Sequence, residues 1–170
     1  MTNPEAGVKK LFYEVGRVVV CWAQAEESLD HCIALIHQYL LGRTLKKKIP
    51  RVFGNKTKYL KMAFCKISIL APLKERGLSL MGQATTLGEK RNIMVHSVPQ
   101  AINDDGLEIV LRTTKSDGYF HSVSTVGFTL AEYRLAGDEM WVLATELFQL
   151  ARDLLELSRA QPRPMRRSPV

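Results

Sequence analysis

The residues of this chain best suited to act together chemically lie in the segment Arg91-Asn92-Ile93-Met94-Val95-His96. On a helix at about 100° per residue, Asn92 and His96 fall within roughly 40° of each other, whereas Arg91 lies roughly 140° from His96. A long guanidinium near a helix end can still swing toward the same cleft. The three would then offer one phosphate a titratable imidazole, a permanent cation and a polar amide. Cleavage of RNA without a metal needs those parts: a base to take the 2'-hydroxyl proton, an acid to protonate the leaving 5'-oxygen, and positive charge for the pentavalent phosphorane. Imidazoles, with an ordinary pKa near about 6.5, suit either proton-transfer role at neutral pH.

The elements that must position this segment are mostly helical. Apolar residues Val8, Leu11, Phe12, Val15, Val18, Val19, Trp22, Leu29, Cys32, Ile33, Ile36 and Leu40 recur at three- and four-residue steps, predicting one long amphipathic helix that stops at Gly42. Glu26 falls on this stripe between Trp22 and Leu29, where an acid is costly unless it is paired or opens onto a polar cleft. It is therefore a candidate neighbour of Arg91, or one half of a structural ion pair where two helices cross. A basic connection from Arg43 to Asn55 leads to a second helix through Tyr59, Leu60, Ala63, Phe64, Ile67 and Leu70, which Pro72 ends or bends. A third helix is expected from about Ser79 or Gln83 to His96, limited by Pro99. Val98 to Asn103, Leu107 to Thr113 and Tyr119 to Phe128 are rich in β-branched and aromatic residues and are separated by Asn-Asp-Asp-Gly and Lys-Ser-Asp-Gly turn signals, giving a hairpin or three-stranded meander over about 98–128. Thr129 and Glu132 form a capping box for a last helix reaching about Ala160, with Gly137 as a possible kink. The fold class is thus mainly α, an antiparallel helical bundle with a small β insertion before the last helix. One domain over 1–160 is expected, followed by a disordered basic tail over 161–170.

The net charge of +7 is unevenly spread. Between His31 and Lys74 lie ten basic residues (Arg43, Lys46, Lys47, Lys48, Arg51, Lys56, Lys58, Lys61, Lys66 and Lys74) and no acidic one. Arg159 to Val170 adds four more bases and again no acid, while the remaining segments are net negative. Such a field suits a chain that meets phosphates, and equally a solvated basic face. Lys56 and Lys58 are candidate RNA-steering cations, though lysines opening a helix are often simply solvated. His31, His37 and His121 have no partner at a recognisable spacing and read as structural or surface residues. Cys21, Cys32 and Cys65 lack C-x-x-C or Cys/His spacing, so they read as small buried hydrophobes in a reducing compartment. Neither a signal peptide nor a membrane span is suggested, and the expected location is cytoplasmic. No glycine-rich phosphate loop, G-x-S-x-G, H-E-x-x-H or carboxylate pair in a suitable setting is present, so no metal and no cofactor is expected.

Arg91-Asn92-x-x-x-His96, late in a helix of a helical domain, resembles the R-polar-x3-H motif of the HEPN superfamily, many of whose members are metal-independent endoribonucleases. The layout is also similar over Val8 to Ala160: a long first helix with Trp22 and Glu26 one turn apart, a basic entry to the second helix, the motif, a β insertion and a closing helix. The resemblance implies that His96 is the general base or acid, that Arg91 stabilises the scissile phosphate and that Asn92 orients one of them. It also implies 2',3'-cyclic phosphate products and a homodimer whose two motifs share one cleft, supplying the second proton-transfer group. A toxin or host-defence effector with an antitoxin partner fits this picture. The competing readings are a noncatalytic HEPN-like module that binds RNA, nucleotide or a protein, and a helical scaffold that only dimerises.

Overall fold

The computed structural model describes residues 4–102, 108–116 and 121–161. Four helices carry the fold: α1 (Pro4–Tyr39), α2 (Phe53–Lys66), α3 (Lys74–His96) and α4 (Leu130–Arg159). Between α3 and α4 lie strands β1 (Val98–Ile102), β2 (Glu108–Ser116) and β3 (His121–Thr129), an antiparallel sheet in the order β1-β2-β3. The architecture is therefore mainly helical with a β insertion before the last helix. The Asn103-Asp104-Asp105-Gly106 turn signal, the Asp117-Gly118 half of the second one and the basic tail from 162 onward lie outside the described residues.

The helix directions are more specific than an all-antiparallel bundle. Phe64 meets Gly77 and Phe53 meets Gly88, so α2 and α3 run in opposite directions. Tyr133 meets Met94 and Arg76 meets Asp153, so α3 and α4 do too. Along α1 and α4, however, Glu14 pairs with Arg134, Arg17 with Asp138, and the Cys32 thiol with the Leu147 carbonyl; these two helices run parallel. They can do so because they are not consecutive: the connection after α1 runs back along it, α2 then runs the same way as α1 (Trp22 meets Phe53, Glu26 meets Lys56 and His37 meets Tyr59), and α3 returns the chain to the starting end.

Each boundary has a local cause. Past α1, Leu41 takes a left-handed conformation (φ 66°) and reverses the chain. The glycine lies one residue later because a Cβ on Gly42 would stand 2.2 Å from the Tyr59 hydroxyl and 2.7 Å from the His37 backbone. A 3-10 turn, Ser68–Leu73, contains Pro72, and α3 then starts at Lys74, earlier than its apolar pattern suggests. Gly77 hides this first part of α3 from a hydrophobicity reading, since its contribution is to let the helix close on the buried Phe64 ring. In the sheet, β2 and β3 pair without interruption from Glu108/Thr129 to Ser116/His121. Strand β1 carries an irregularity between Pro99 and Ala101, where proline, lacking an N–H, is tolerated at a sheet edge. The α4 capping box is complete: Thr129 Oγ1 accepts from the Glu132 amide at 3.1 Å, while Glu132 accepts from the Thr129 amide at 2.7 Å. The Thr129 amide and hydroxyl, both donating to Glu132 Oε2, lower the pKa of that carboxyl. Helix α4 runs through Gly137 without a break; the glycine leaves room for the Arg17 guanidinium, which would lie 3.2 Å from a Cβ there.

The core lies where α1 and α4 meet the α2/α3 pair, through Leu29, Ile33, Ile36, Tyr59, Phe64, Met81, Met140, Leu147 and Leu154. The buried stripes are narrower than the sequence pattern. Phe12 (70% exposed) and Val19 on α1, and Trp141 and Phe148 on α4, face outward because each helix is covered on one side only. Cys21 and Cys32 are buried as expected; Cys65, in the last turn of α2, is exposed.

Two glycines of α3 should respond oppositely to alanine. Gly77→Ala places a methyl 2.5 Å from a ring that cannot retreat and should destabilise by about 1–3 kcal/mol. Gly82→Ala has nothing within 4 Å and should stabilise by about 0.5–1 kcal/mol by removing helix-interior entropy loss. Urea denaturation of both variants checks the pair of signs.

Candidate functional site

The last turn of α3 carries Arg91, Asn92 and His96 and passes through Ser97 directly into β1. Its exit is fixed from three directions. Below the motif, Gly88 lets the Trp22 and Phe53 rings approach the α3 backbone; a Cβ there would lie 2.9 Å from Phe53 and 3.0 Å from Trp22. The two rings meet edge to face with centroids 4.9 Å apart. From α4, the buried Tyr133 donates its hydroxyl to the Met94 carbonyl at 3.2 Å, satisfying one of the acceptors that a helix end leaves without a partner. Burial pushes the Tyr133 phenol up to about 12, so it remains a donor at neutral pH. From the sheet, Phe128 stacks edge to face on Tyr133 with centroids 5.9 Å apart.

The three motif side chains come together on this frame. Arg91 Nη1 lies 2.7 Å from His96 Nε2 and donates to Asn92 Oδ1 at 3.1 Å. The guanidinium thus crosses the angular gap between Arg91 and His96. Because arginine has no acceptor, this contact is a hydrogen bond only where Nε2 accepts through its lone pair. Asn92 and His96 are exposed and Arg91 is half-buried. Among the described residues the enclosed Nε of Arg91 has no hydrogen-bond partner, so the side chain keeps an unspent donor beside its engaged terminus. Arg91 and Asn92 are adjacent in sequence, and the amide holds the guanidinium toward the imidazole.

Glu26 and Lys56 lie elsewhere. Glu26 Oε1 accepts from Lys56 Nζ at 3.2 Å, and Asp30, one turn further along α1, accepts from the same ammonium at 2.8 Å. Among the described residues Glu26 forms no hydrogen bond or ion pair with Arg91; the carboxylate on the apolar stripe serves the crossing of α1 and α2. Lys56 is only 6% exposed and committed to these two acids, so its charge is not offered to an outside phosphate. Burial pulls the Lys56 pKa down, but the hydrogen bonds to Asp30 and Glu26 and their charges outweigh it and hold the amine above the ordinary lysine value. Lys58, two residues on, is exposed. His37 is buried with Nδ1 3.3 Å from the Tyr59 hydroxyl, and His31 is exposed on α1. Tyr13 is exposed, while Trp22, Tyr59 and Phe64 belong to the core. Among the described residues no group of three or more His, Cys, Asp or Glu side chains is placed to hold a metal ion.

Sequence reading missed two residues that hold the motif. Tyr133 follows the capping box directly, but nothing local links a tyrosine of α4 to a carbonyl of α3. Gly88 was visible only as a glycine within a helix, where a packing reason is the usual explanation. No protein-family model, no curated protein and no solved structure matches the chain.

Two substitutions test this frame. Tyr133→Phe leaves the Met94 carbonyl buried without its donor and should cost about 1–3 kcal/mol, measured by chemical denaturation. Lys56→Met should destabilise at neutral pH. Since the folded-state pKa of Lys56 is raised above 10.5, the stability difference between wild type and Lys56→Met should be constant at lower pH and shrink as pH rises through that raised value. A difference that grew above pH 10.5 would contradict the sign of this linkage.

Proposed function

We propose that the chain is a HEPN-type, metal-independent endoribonuclease acting as a homodimer. The observation that carries this reading is the convergence of Arg91, Asn92 and His96 at an exposed helix end, with Arg91 Nη1 2.7 Å from His96 Nε2. A phosphate arriving at the guanidinium competes with Nε2 for the same N–H. As Arg91 turns to the phosphate, Nε2 regains its lone pair and can take the proton of the attacking 2'-hydroxyl. The 2'-oxygen bonds to phosphorus, the bond to the 5'-oxygen breaks, and the products are a 2',3'-cyclic phosphate and a 5'-hydroxyl. Arg91 offsets the charge that builds on the phosphorane. One imidazole serves one proton transfer; the leaving 5'-oxygen takes its proton from His96 of a second copy, protonated for that role.

Dimerisation beside the motif is supported by apolar side chains left in solvent. Leu135 and Val142, each 53% exposed, line with Lys90 a groove of about 710 Å³ between α3 and α4. In a composite site, cleavage depends on protein concentration and on this groove. A cytoplasmic location, and a role as a toxin or defence effector held by an antitoxin, belong to the same proposal. For membranes the observation is narrower: among the described residues no helix is long and apolar enough to cross one.

The same short contact favours a second reading, a noncatalytic module that binds RNA, nucleotide or a protein. In that case Arg91 and His96 form a structural tie at the end of α3, and Nε2 is never released.

Purified wild type, Arg91→Ala and His96→Ala, each shown to be folded by circular dichroism, are incubated with total RNA in EDTA. Cleavage by wild type leaving cyclic phosphate ends, reduced about 10²-fold or more in His96→Ala, is expected. RNA binding without cleavage in all three proteins selects the noncatalytic module. Light scattering should give a dimer that Leu135→Lys/Val142→Lys dissociates, with activity falling in parallel; a fully active monomer would sink the composite site.

A further inference from the structure

The segment joining α1 to α2 carries five cations, Arg43, Lys46, Lys47, Lys48 and Arg51, and all are exposed. The sequence from His31 to Lys74 supplies no acid to neutralise them. None of the five is ion-paired among the described residues, in contrast to the buried Lys56 that follows. Lys48, Ile49 and Arg51 line a depression of about 660 Å³.

The path of this segment gives the charges a direction. It leaves at Gly42, which is packed against His37 and Tyr59, and ends at Phe53, which is packed against Trp22 and Gly88. His37 and Trp22 are separated by roughly 22 Å along α1, so the segment runs back along the helix for about that distance. Its far end stands beside Gly88, roughly 4.5 Å of helix rise from Arg91. The row of unpaired cations therefore points at the motif.

We propose that residues 43–51 form a backbone-reading track for single-stranded RNA, holding the strand beyond the nucleotides that occupy the Arg91/His96 cleft. This rests on the ribonuclease reading for the identity of the strand and adds where it lies. An isolated mononucleotide would use the motif alone; a row of five like charges about 22 Å long matches a repeating polyanion. Aromatic stacking contributes little here, since no aromatic side chain stands on the segment between Arg43 and Val52. Recognition is thus electrostatic and tolerant of sequence.

The test uses the full-length protein and fluorescein-labelled 2'-O-methyl oligouridines of twenty and four nucleotides, whose blocked 2'-oxygens separate binding from cleavage. Neutralising the central cations (Lys46→Gln/Lys47→Gln/Lys48→Gln) should weaken the twenty-mer by about tenfold or more at moderate salt. It should also flatten the slope of log affinity against log salt by roughly 2, three lost phosphate contacts at about 0.7 each. Affinity for the four-mer should change less than twofold, and reversal to glutamate should deepen the loss for the twenty-mer. Unchanged twenty-mer affinity and slope overturns the track, as does an equal loss for both lengths. Binding of the segment to phosphatidylserine vesicles without binding to the oligonucleotide also overturns it. The nuclease reading fails separately: a wild type that binds the twenty-mer through Lys46, Lys47 and Lys48 but cuts no RNA keeps the track and loses the catalysis.

Discussion

The parallel pairing of α1 with α4 is the constraint on which the rest of the structure depends. These are the longest helices, 36 and 30 residues, and they come from opposite ends of the chain. Their register is held by a carboxylate that can scarcely be elsewhere. Glu14 is 3% exposed and lies 3.1 Å from Arg134 and 3.4 Å from Arg17, and Arg17 continues to Asp138. A buried acid without these cations would carry a large desolvation cost, so sliding α4 along α1 by one turn is penalised by charge as well as by packing. Desolvation lowers the Arg17 pKa, but the hydrogen bond and charge of Asp138 and the charge of Glu14 outweigh it and raise the value, as expected of a guanidinium held in such a network.

Once α1 and α4 are parallel, everything between them has to return the chain, and the motif is a product of that return. Helix α3 runs against both α2 and α4, which brings its C-terminal end to the start of α4 and places the sheet there. Tyr133, in the first turns of α4, is then close enough to bond the Met94 carbonyl, two residues before His96. The Trp22-Phe53 pair performs the same service from the other side, through the space that Gly88 leaves open. Lys56 secures α2 to α1 one turn beyond Phe53, so Glu26 and Asp30 reach the motif only indirectly, through the seating of α2.

What the sequence made legible follows from the range of the interactions involved. The capping box, the strand segments and the identity of each helix rest on contacts within a few residues, and these appear in the structure close to where the pattern puts them. The approach of Arg91 to His96 was accessible too, because it depends only on helical angle and side-chain length. The failures were long-range. Glu26 was correctly marked as costly on an apolar stripe, but its partner, Lys56, lies thirty residues away, on a helix whose start at Phe53 carries no capping side chain. Phe12 belongs to the apolar repeat of α1 yet faces outward, because periodicity reports that a residue is apolar and not whether a neighbour arrives to cover it. Helix directions are invisible to local patterns altogether; they follow from the buried Glu14 network, which joins residues some 120 positions apart.

The distribution of charge ties the fold to the chemistry proposed for it. The half-buried Arg17 and the buried Lys56, both set against α1, each have two carboxylates: Arg17 has Glu14 and Asp138, and Lys56 has Glu26 and Asp30. Glu14, Glu26 and Asp30 of α1 are thereby committed to holding the bundle, and the chain supplies no acid from His31 to Lys74. Among the described residues the exposed cations of 43–51 form no ion pair. Arg91 differs from both groups: it is half-buried, among the described residues it forms no ion pair, and its terminus rests on Asn92 Oδ1 and His96 Nε2. A guanidinium held by neutral groups retains its full charge for an incoming anion, and a phosphate is a stronger acceptor than either an amide oxygen or an imidazole nitrogen. Under the ribonuclease reading proposed above, substrate binding and release of the imidazole would then be the same event, the resting contact between Arg91 and His96 giving way to the incoming anion.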